Sequence, residues 1–96
     1  MQTIFKYNLT KYGKNVVKLP LYASVLSVGL QKDEPVVWAL VNTDEVLVDR
    51  IFTIIFTGDD LVHFGLYSDL FLGTVQRTDG IVMHIFRDVA TRIKGE

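Results

Sequence analysis

Residues 36–41 read Val-Val-Trp-Ala-Leu-Val, a run without a polar side chain. Antiparallel strands with one solvated face alternate apolar and polar residues, so this run predicts a strand that is covered on both faces. Residues 81–86 are similar, with His84 as the one polar residue. We expect both segments to be central strands, either inside a two-layer core or with one face covered by another subunit.

Shorter strands separated by turn residues surround these two segments. Residues 23–31 alternate, which places Leu26, Val28 and Leu30 on one face. The polar turn 32–35 predicts a hairpin into the central run, and the pair Asp79-Gly80 predicts a second hairpin. The predicted strands are residues 3–9, 15–19, 23–31, 36–41, 50–57, 70–76 and 81–86.

This spacing predicts an all-β domain with at most one or two short helices. The expected architecture is a small antiparallel sandwich or barrel of about six to seven strands. The 96 residues suffice for a single domain, 1–96, in which residues 87–96 form a tail or a short helix. Gly29 and Gly73 lie inside strands, where glycine marks a bulge or a close backbone approach. Trp38, inside an apolar run, is expected in the core.

The composition narrows the class of protein. Hydrophobic residues make up 49% and charged residues 22%, as in a folded domain rather than a disordered one. The absence of cysteine excludes disulfides and thiolate metal sites. No apolar run approaches the roughly 20 residues of a membrane span, and the first residues lack a signal-peptide pattern. We therefore expect a soluble cytoplasmic protein without a membrane partner.

Charge is distributed unevenly along the chain. Residues 1–32 contain five lysines and no acid (+5), and residues 33–96 contain eleven acids against five basic residues (−6), which sums to −1. One interpretation is a basic face for an anionic ligand, or two opposite faces that pair between copies. The other is a hairpin whose outward lysines protect an edge strand.

Several motifs together resemble a known family. They are Ile-Phe-Lys-Tyr at 4–7, Val-Lys-Leu-Pro at 17–20, Leu-Ser-Val at 26–28, Val-Trp-Ala-Leu-Val at 37–41, Thr-Gly at 57–58, Leu-Gly-Thr-Val-Gln at 72–76 and His-Ile-Phe at 84–86. The chain is similar to small proteins found mainly in tailed bacteriophages and prophages, with the pattern Ile-x-Lys-Tyr, Trp-Ala-Leu-Val, Gly-Thr-Val-Gln and His-x-Phe. The sequence departs from that family in its acidic turn 31–35, in Asp59-Asp60 where the family tends toward a Gly-His loop, and in its tail 89–96. The resemblance implies a phage origin, and it supplies no reaction and no catalytic residues.

Catalytic and metal-binding constellations are weak in this sequence. His84 lies in an apolar strand, which favours a core or interface imidazole satisfied by one hydrogen bond. His63 could bind a metal with Asp59 and Asp60, but metal sites need three or four converging ligands, so a solvated acidic loop is the expectation. No phosphate-binding glycine motif occurs. We expect no enzyme, no metal and no cofactor.

A cluster of basic and aromatic residues is the candidate site for an anionic ligand or a nucleotide. Lysines contact phosphates and tyrosines stack on bases. A pI near 6.1 disfavours extended nucleic acid and leaves a compact anion. The candidate residues are Lys6, Lys11, Tyr12, Lys14, Lys18 and Tyr22.

These observations predict a phage accessory protein that acts by binding in the cytoplasm of an infected bacterial cell. It would self-associate, because its core is thin, and it would bind a host protein or a small anionic ligand. One version is a host-defence antagonist that sequesters a nucleotide signal or blocks a defence protein. The alternative is a structural β-domain that decorates the phage head or associates with the tail.

Overall fold

The computed structural model describes residues 1–88, and these form an all-β fold, as predicted. The strands are β1 (Gln2–Asn8), β2 (Gly13–Pro20), β3 (Ser24–Gln31), β4 (Glu34–Asn42), β5 (Leu47–Phe56), β6 (Phe71–Gln76) and β7 (Val82–Arg87). Two single-turn 3₁₀ helices, Val62–Phe64 and Ser68–Leu70, lie between β5 and β6. Within residues 1–88, no helix has the length and apolar character needed to cross a bilayer. Of the tail or helix expected at 87–96, Arg87 ends β7, and residues 89–96 lie outside the described part.

The strands form two antiparallel sheets, so of the expected sandwich or barrel with about six to seven strands the protein is a seven-stranded sandwich. One sheet has the order β1-β4-β3 and the other β2-β5-β7-β6, so β4 and β7 are central, as their apolar sequences predicted. Both predicted hairpins are present. Lys32 and Asp33 have φ values of 50° and 65°, the two positive angles of a tight hairpin turn. β2 and β5 start earlier than predicted, because they pair with each other from Gly13↔Ile54 to Pro20↔Leu47.

The inner faces of the two sheets share one core. Side chains directly opposite each other on paired strands point to the same face, so alternate residues of β4, β5 and β7 meet between the sheets. Trp38, expected in the core, lies instead half-buried on the outer face of the three-stranded sheet, because its neighbours in β4 fill the inner positions. The fully buried core side chains include Leu9, Leu19, Val37, Ala39, Val41, Phe52 and Ile85.

The chain itself covers part of the outer face of the four-stranded sheet. Ile55 of β5 and Phe86 of β7 point away from the main core and pack against Leu66 and Leu70 from the segment between β5 and β6. This second apolar cluster explains why β7 has apolar residues on both faces. The outer face of β7 at Phe86 is therefore covered by the same chain and not by another subunit.

The alternation predicted for β3 is wrong at Leu26. A bulge shifts the register between Val25 and Ser27, and an extra residue moves the following side chains to the opposite face. Val25, Val28 and Leu30 consequently pack on the core, whereas Leu26 is exposed.

The edges of the two sheets meet where β3 approaches β6. A side-chain Cβ at Gly73 would overlap a methyl group of Val28, so the valine packs directly against bare backbone. β6 also shifts its register between Phe71 and Gly73. Gly73 thus marks both a bulge and a close approach, as its position inside a strand predicted.

Gly73→Ala should lower the free energy of unfolding by about 1–3 kcal/mol, because it overpacks a rigid, β-branched contact. Val28→Ala removes the overlapping methyl groups. The double variant should therefore be more stable than the sum of the two single changes predicts. Urea denaturation of all four proteins measures this coupling, and strictly additive changes would show that the contact does not limit the packing.

A charged pair closes the core at the end opposite the β3–β4 hairpin turn. Arg50, 8% exposed on β5, donates from Nε to Asp88 Oδ1 (3.2 Å) and from a terminal nitrogen to the Ala23 carbonyl (3.2 Å). Asp88 Oδ2 accepts the Ile51 backbone N–H (3.1 Å). The guanidinium also lies 5.8 Å from the centre of the Phe52 ring. A charge this buried needs its partner.

Asp88→Ala should destabilise the fold by about 2–4 kcal/mol, because it leaves the Arg50 charge uncompensated. Arg50→Met combined with Asp88→Ala should cost less than Asp88→Ala alone, since no unpaired charge remains. Thermal and urea unfolding compare the two variants. A double variant that is less stable than the single one would contradict this account.

Candidate functional site

An open cleft of about 440 Å³ lies at one end of the sandwich, between three connections. The β1–β2 loop (residues 9–12) borders one side. The β3–β4 turn and the β6–β7 turn border the other, since β3 and β6 approach each other there while β1 and β2 are at the opposite edges. The floor consists of apolar side chains from the end of the core, namely Leu9, Pro35, Ile54 and Met83.

Aromatic rings form the wall on the β1–β2 side. The ring of Tyr12 stacks on Phe56 with centroids 4.7 Å apart and an angle of 18°, and Phe64 meets it edge-on at 5.9 Å. The Tyr12 hydroxyl donates to Asp59 Oδ2 (2.7 Å), which also accepts the Phe56 backbone N–H (2.8 Å). Tyr12 is 47% and Phe56 38% exposed, so a held aromatic pair faces solvent at the cleft.

The buried side chain of Asn15 holds the β1–β2 loop in place. Its Oδ1 accepts the backbone N–H groups of Thr10 (3.1 Å) and Lys11 (3.2 Å). Its Nδ2 donates to the carbonyls of Lys11 (2.8 Å) and Gly13 (3.2 Å). One amide thus replaces the ladder bonds that the loop lacks, and it sets the position of Lys11 and Tyr12.

A carboxylate joins the two turns that form the opposite wall. Asp33 accepts both the backbone N–H (2.9 Å) and the hydroxyl (2.8 Å) of Thr78. Arg77 pairs with Asp79 at 2.9 Å, and its Nε lies 3.9 Å from Asp33. Lys32, next to Asp33 in the β3–β4 turn, also lines the cleft. The two turns therefore act as one wall with two cationic side chains.

Hydrogen bonds fix the ionisation of the acids around the cleft. The backbone N–H and then the hydroxyl of Thr78 lower the pKa of Asp33. The Phe56 N–H and then the Tyr12 hydroxyl lower the pKa of Asp59. Donation to Asp59 raises the pKa of Tyr12. Both carboxylates are thus ionised and Tyr12 is neutral at pH 7.

The charged lining of the cleft is slightly positive. Lys11, Lys32 and Arg77 carry three positive charges, and Asp33 and Glu34 carry two negative ones, a formal balance of +1 for the lining residues. Two further carboxylates lie beside the lining, Asp79 paired with Arg77 and Asp59 bonded to Tyr12. Asp33 is already engaged by Thr78, so the lysine ammonium groups are the free charges that a ligand would meet. Apolar floor, aromatic wall and cationic wall together suit a compact ligand with a flat ring and an anionic group.

In a comparison with known protein families, residues 1–95 match the family described as Domain of unknown function (DUF7352). The chain belongs to the DUF7352 family. Comparisons with curated proteins and with solved structures find no match. Membership of DUF7352 assigns neither a reaction nor a ligand to this chain.

The DUF7352 fold brings two of the six predicted site residues together in the cleft, Lys11 and Tyr12. Lys14 and Lys18 lie on the outer face of β2, where Lys18 pairs with Asp49 at 2.7 Å. They cannot reach the cleft, because their side chains point away from the core-facing side of the sheet.

The remaining two predicted residues lie elsewhere. Lys6 is on the outer face of the three-stranded sheet and donates to Gln31 Oε1 (2.6 Å). Tyr22 lies in the β2–β3 connection at the far end of the sandwich and borders a second, smaller cleft of about 240 Å³.

Sequence reasoning missed several residues that build the cleft. The sequence predicts Lys32 and Arg77 in turns and Phe56 near the end of a strand. It does not predict that these two turns become neighbours, so it does not place the three residues in one cleft. Asn15 carries a detectable signal, an asparagine two residues after Gly13, between the predicted strand 3–9 and the start of the strand 15–19.

The two histidines of this DUF7352 chain lie in different settings, His84 on β7 and His63 in the first 3₁₀ helix. His84 Nε2 lies 2.7 Å from the Thr57 hydroxyl and Nδ1 lies 2.9 Å from the Thr74 hydroxyl, two partners where one was expected. Near His63, Asp60 accepts the Val62 backbone N–H at 3.0 Å. Among residues 1–88, no three His, Cys, Asp or Glu side chains are grouped so that they could hold a metal ion.

Acid should weaken the joint between the two turns. The pKa of Asp33 in the folded state lies below its ordinary value of 3.8, so its bonds to Thr78 stabilise the fold above that pH, and this contribution disappears as the pH falls through the lower value. Urea denaturation between about pH 2.5 and 6 should give a shallower acid decline for Asp33→Asn than for the natural protein. Thr78→Val should be intermediate, because the backbone N–H bond remains. An equal decline of the unfolding free energy with falling pH in all three proteins would contradict the role of the Asp33–Thr78 hydrogen bonds.

Proposed function

We propose that the protein acts by binding, and that its cleft takes a small anionic ligand with one flat ring, of the chemical type of a mononucleotide. The observation that carries this proposal is the exposed Tyr12–Phe56 pair, held across the cleft from Lys32 and Arg77. Rings of this kind stack on bases irrespective of sequence. Lysine and arginine supply the charge that a phosphate needs.

The size and charge of the cleft favour one nucleotide over a strand. Its volume of about 440 Å³ is in the lower part of the range for small-molecule sites. Its formal charge of +1 and the sequence pI near 6.1 are modest for a protein that follows a phosphate backbone. We therefore expect micromolar rather than nanomolar affinity.

The biological role we propose is that of a phage accessory protein in the cytoplasm of an infected bacterial cell. A binder without catalytic groups would act stoichiometrically, as a host-defence antagonist that sequesters a nucleotide signal. In a second version the same end of the sandwich blocks a defence protein. Support for the phage setting is the sequence resemblance described above. A virion structural role is the alternative if the cleft binds no nucleotide.

Isothermal titration calorimetry with 5′-AMP and 5′-GMP tests the site directly. The nucleotides should bind, and the corresponding nucleosides should bind at least about tenfold more weakly, because they lack the phosphate. Lys11→Gln and Lys32→Gln should each weaken binding about threefold to tenfold. Lys14→Gln is the matched control, since it removes an equal charge from the same end of the molecule, outside the cleft.

Two results would count against the proposal. Absence of heat up to millimolar nucleotide, from a protein that unfolds cooperatively, would exclude the sequestering role for these ligands. Equal losses for Lys14→Gln and Lys32→Gln would show general charge attraction and no cleft site. Either result would favour a role in blocking a defence protein or a structural role in the virion.

A further inference from the structure

The outer face of the β1-β4-β3 sheet carries a patch of apolar side chains that no other part of residues 1–88 covers. The register places Ile4 of β1 directly opposite Leu40 of β4, and Trp38 follows on the same face. Leu26 lies at the bulge of β3, next to Ser27, which pairs with Trp38. Ile4 is 55%, Leu26 52% and Leu40 39% exposed. We call these four residues the apolar face.

The rest of this outer face is closed by the chain's own polar groups. The Lys6–Gln31 hydrogen bond (2.6 Å) runs from β1 to β3 across the central strand and covers Val36, which is fully buried. Trp38 lies close over the backbone of Gly29, where a Cβ would come within 2.9 Å of the indole. The exposed part is thus a compact patch with a polar border, the anatomy of an interface core and rim.

Tyr22 adds an unusual feature at the far end of the sandwich. Its φ of 66° is uncommon for a residue other than glycine, asparagine or aspartate, and its side chain is 76% exposed. It borders the second cleft together with Leu40, which belongs to the apolar face. The fold therefore holds an aromatic side chain in solvent next to the patch, and tyrosine is a preferred anchor at protein interfaces.

We propose that the apolar face packs against the same face of a second copy of this chain, with Tyr22 at the margin of the contact. A two-fold interface brings each surface against itself, so it must not carry charge of a single sign. The charged side chains of this outer face are Lys6 and Glu34, of opposite sign, and the Lys6 ammonium is already bonded. The outer face of β2, with Lys14 and Lys18, would repel its own copy more strongly.

The size of the face sets the strength of the dimer. Strands of 7, 9 and 8 residues span about 14 Å by 25 Å, a projected area of about 350 Å². Stable interfaces bury about 800 Å² per partner. The contact is therefore a weak, reversible dimer that forms only at high protein concentration.

Trp38 is the one tryptophan of the chain and lies on the apolar face, so its fluorescence reports on the contact. On dilution from about 500 μM to about 1 μM, the emission should shift to longer wavelength while sedimentation shows dimer converting to monomer. Ile4→Lys and Leu40→Lys should show the long-wavelength emission and monomer mass throughout. Val16→Lys, an exposed apolar position on the outer face of the other sheet, should behave as the natural chain.

Each other outcome would overturn the inference. A chain that stays monomeric at 500 μM has no such dimer, whatever its emission. A dimer that persists in Ile4→Lys, which sits on an edge strand and tolerates the change best, uses another surface. These readouts need no ligand, so they are independent of nucleotide binding at the cleft.

Discussion

The packing of Val28 against the bare backbone at Gly73 is the constraint on which the site depends. It lets the edge of the three-stranded sheet approach the edge of the four-stranded sheet, and both edge strands carry a bulge there. The hairpin turns that follow these strands consequently become neighbours, and Asp33 reaches Thr78. A contact inside the sandwich therefore places two cationic side chains on one wall of the cleft, although none of its atoms belongs to that wall.

The opposite wall depends on polar bonds rather than on core packing. A short loop that leaves one sheet and enters the other cannot satisfy its backbone groups by strand pairing. Asn15 supplies those bonds from a buried position, and Asp59 ties Tyr12 to the end of β5. The position of this wall is thus set by local hydrogen bonds, whereas the floor is set by the packing between the sheets.

The sequence predicted what periodicity and turn chemistry control. The apolar runs identified β4 and β7 as central strands, and Asp79-Gly80 identified a hairpin. It did not predict the position of Leu26, since a bulge inverts alternation without changing composition. Of the six candidate residues, Lys11 and Tyr12 line the cleft and Lys14 and Lys18 do not. The sequence could not separate them, because a stretch rich in lysine does not show which side chains converge. Strand order decides that, and strand order depends on contacts distant in sequence.

The outer faces of the two sheets carry apolar side chains that do not fit into the core of so small a domain. A sheet of three or four strands has two faces, and a single core can cover one face of each sheet. On the four-stranded sheet, the segment between β5 and β6 covers Ile55 and Phe86 with its own leucines. On the three-stranded sheet, the Lys6–Gln31 bond covers Val36 and leaves Ile4, Trp38 and Leu40 at the surface. Both β4 and β7 thus carry apolar side chains on their outer faces. Within residues 1–88, the chain covers Phe86 of β7 and leaves Leu40 of β4 exposed. A second copy of the chain, placed as proposed, would be the counterpart of the segment that covers Ile55 and Phe86 on the other sheet.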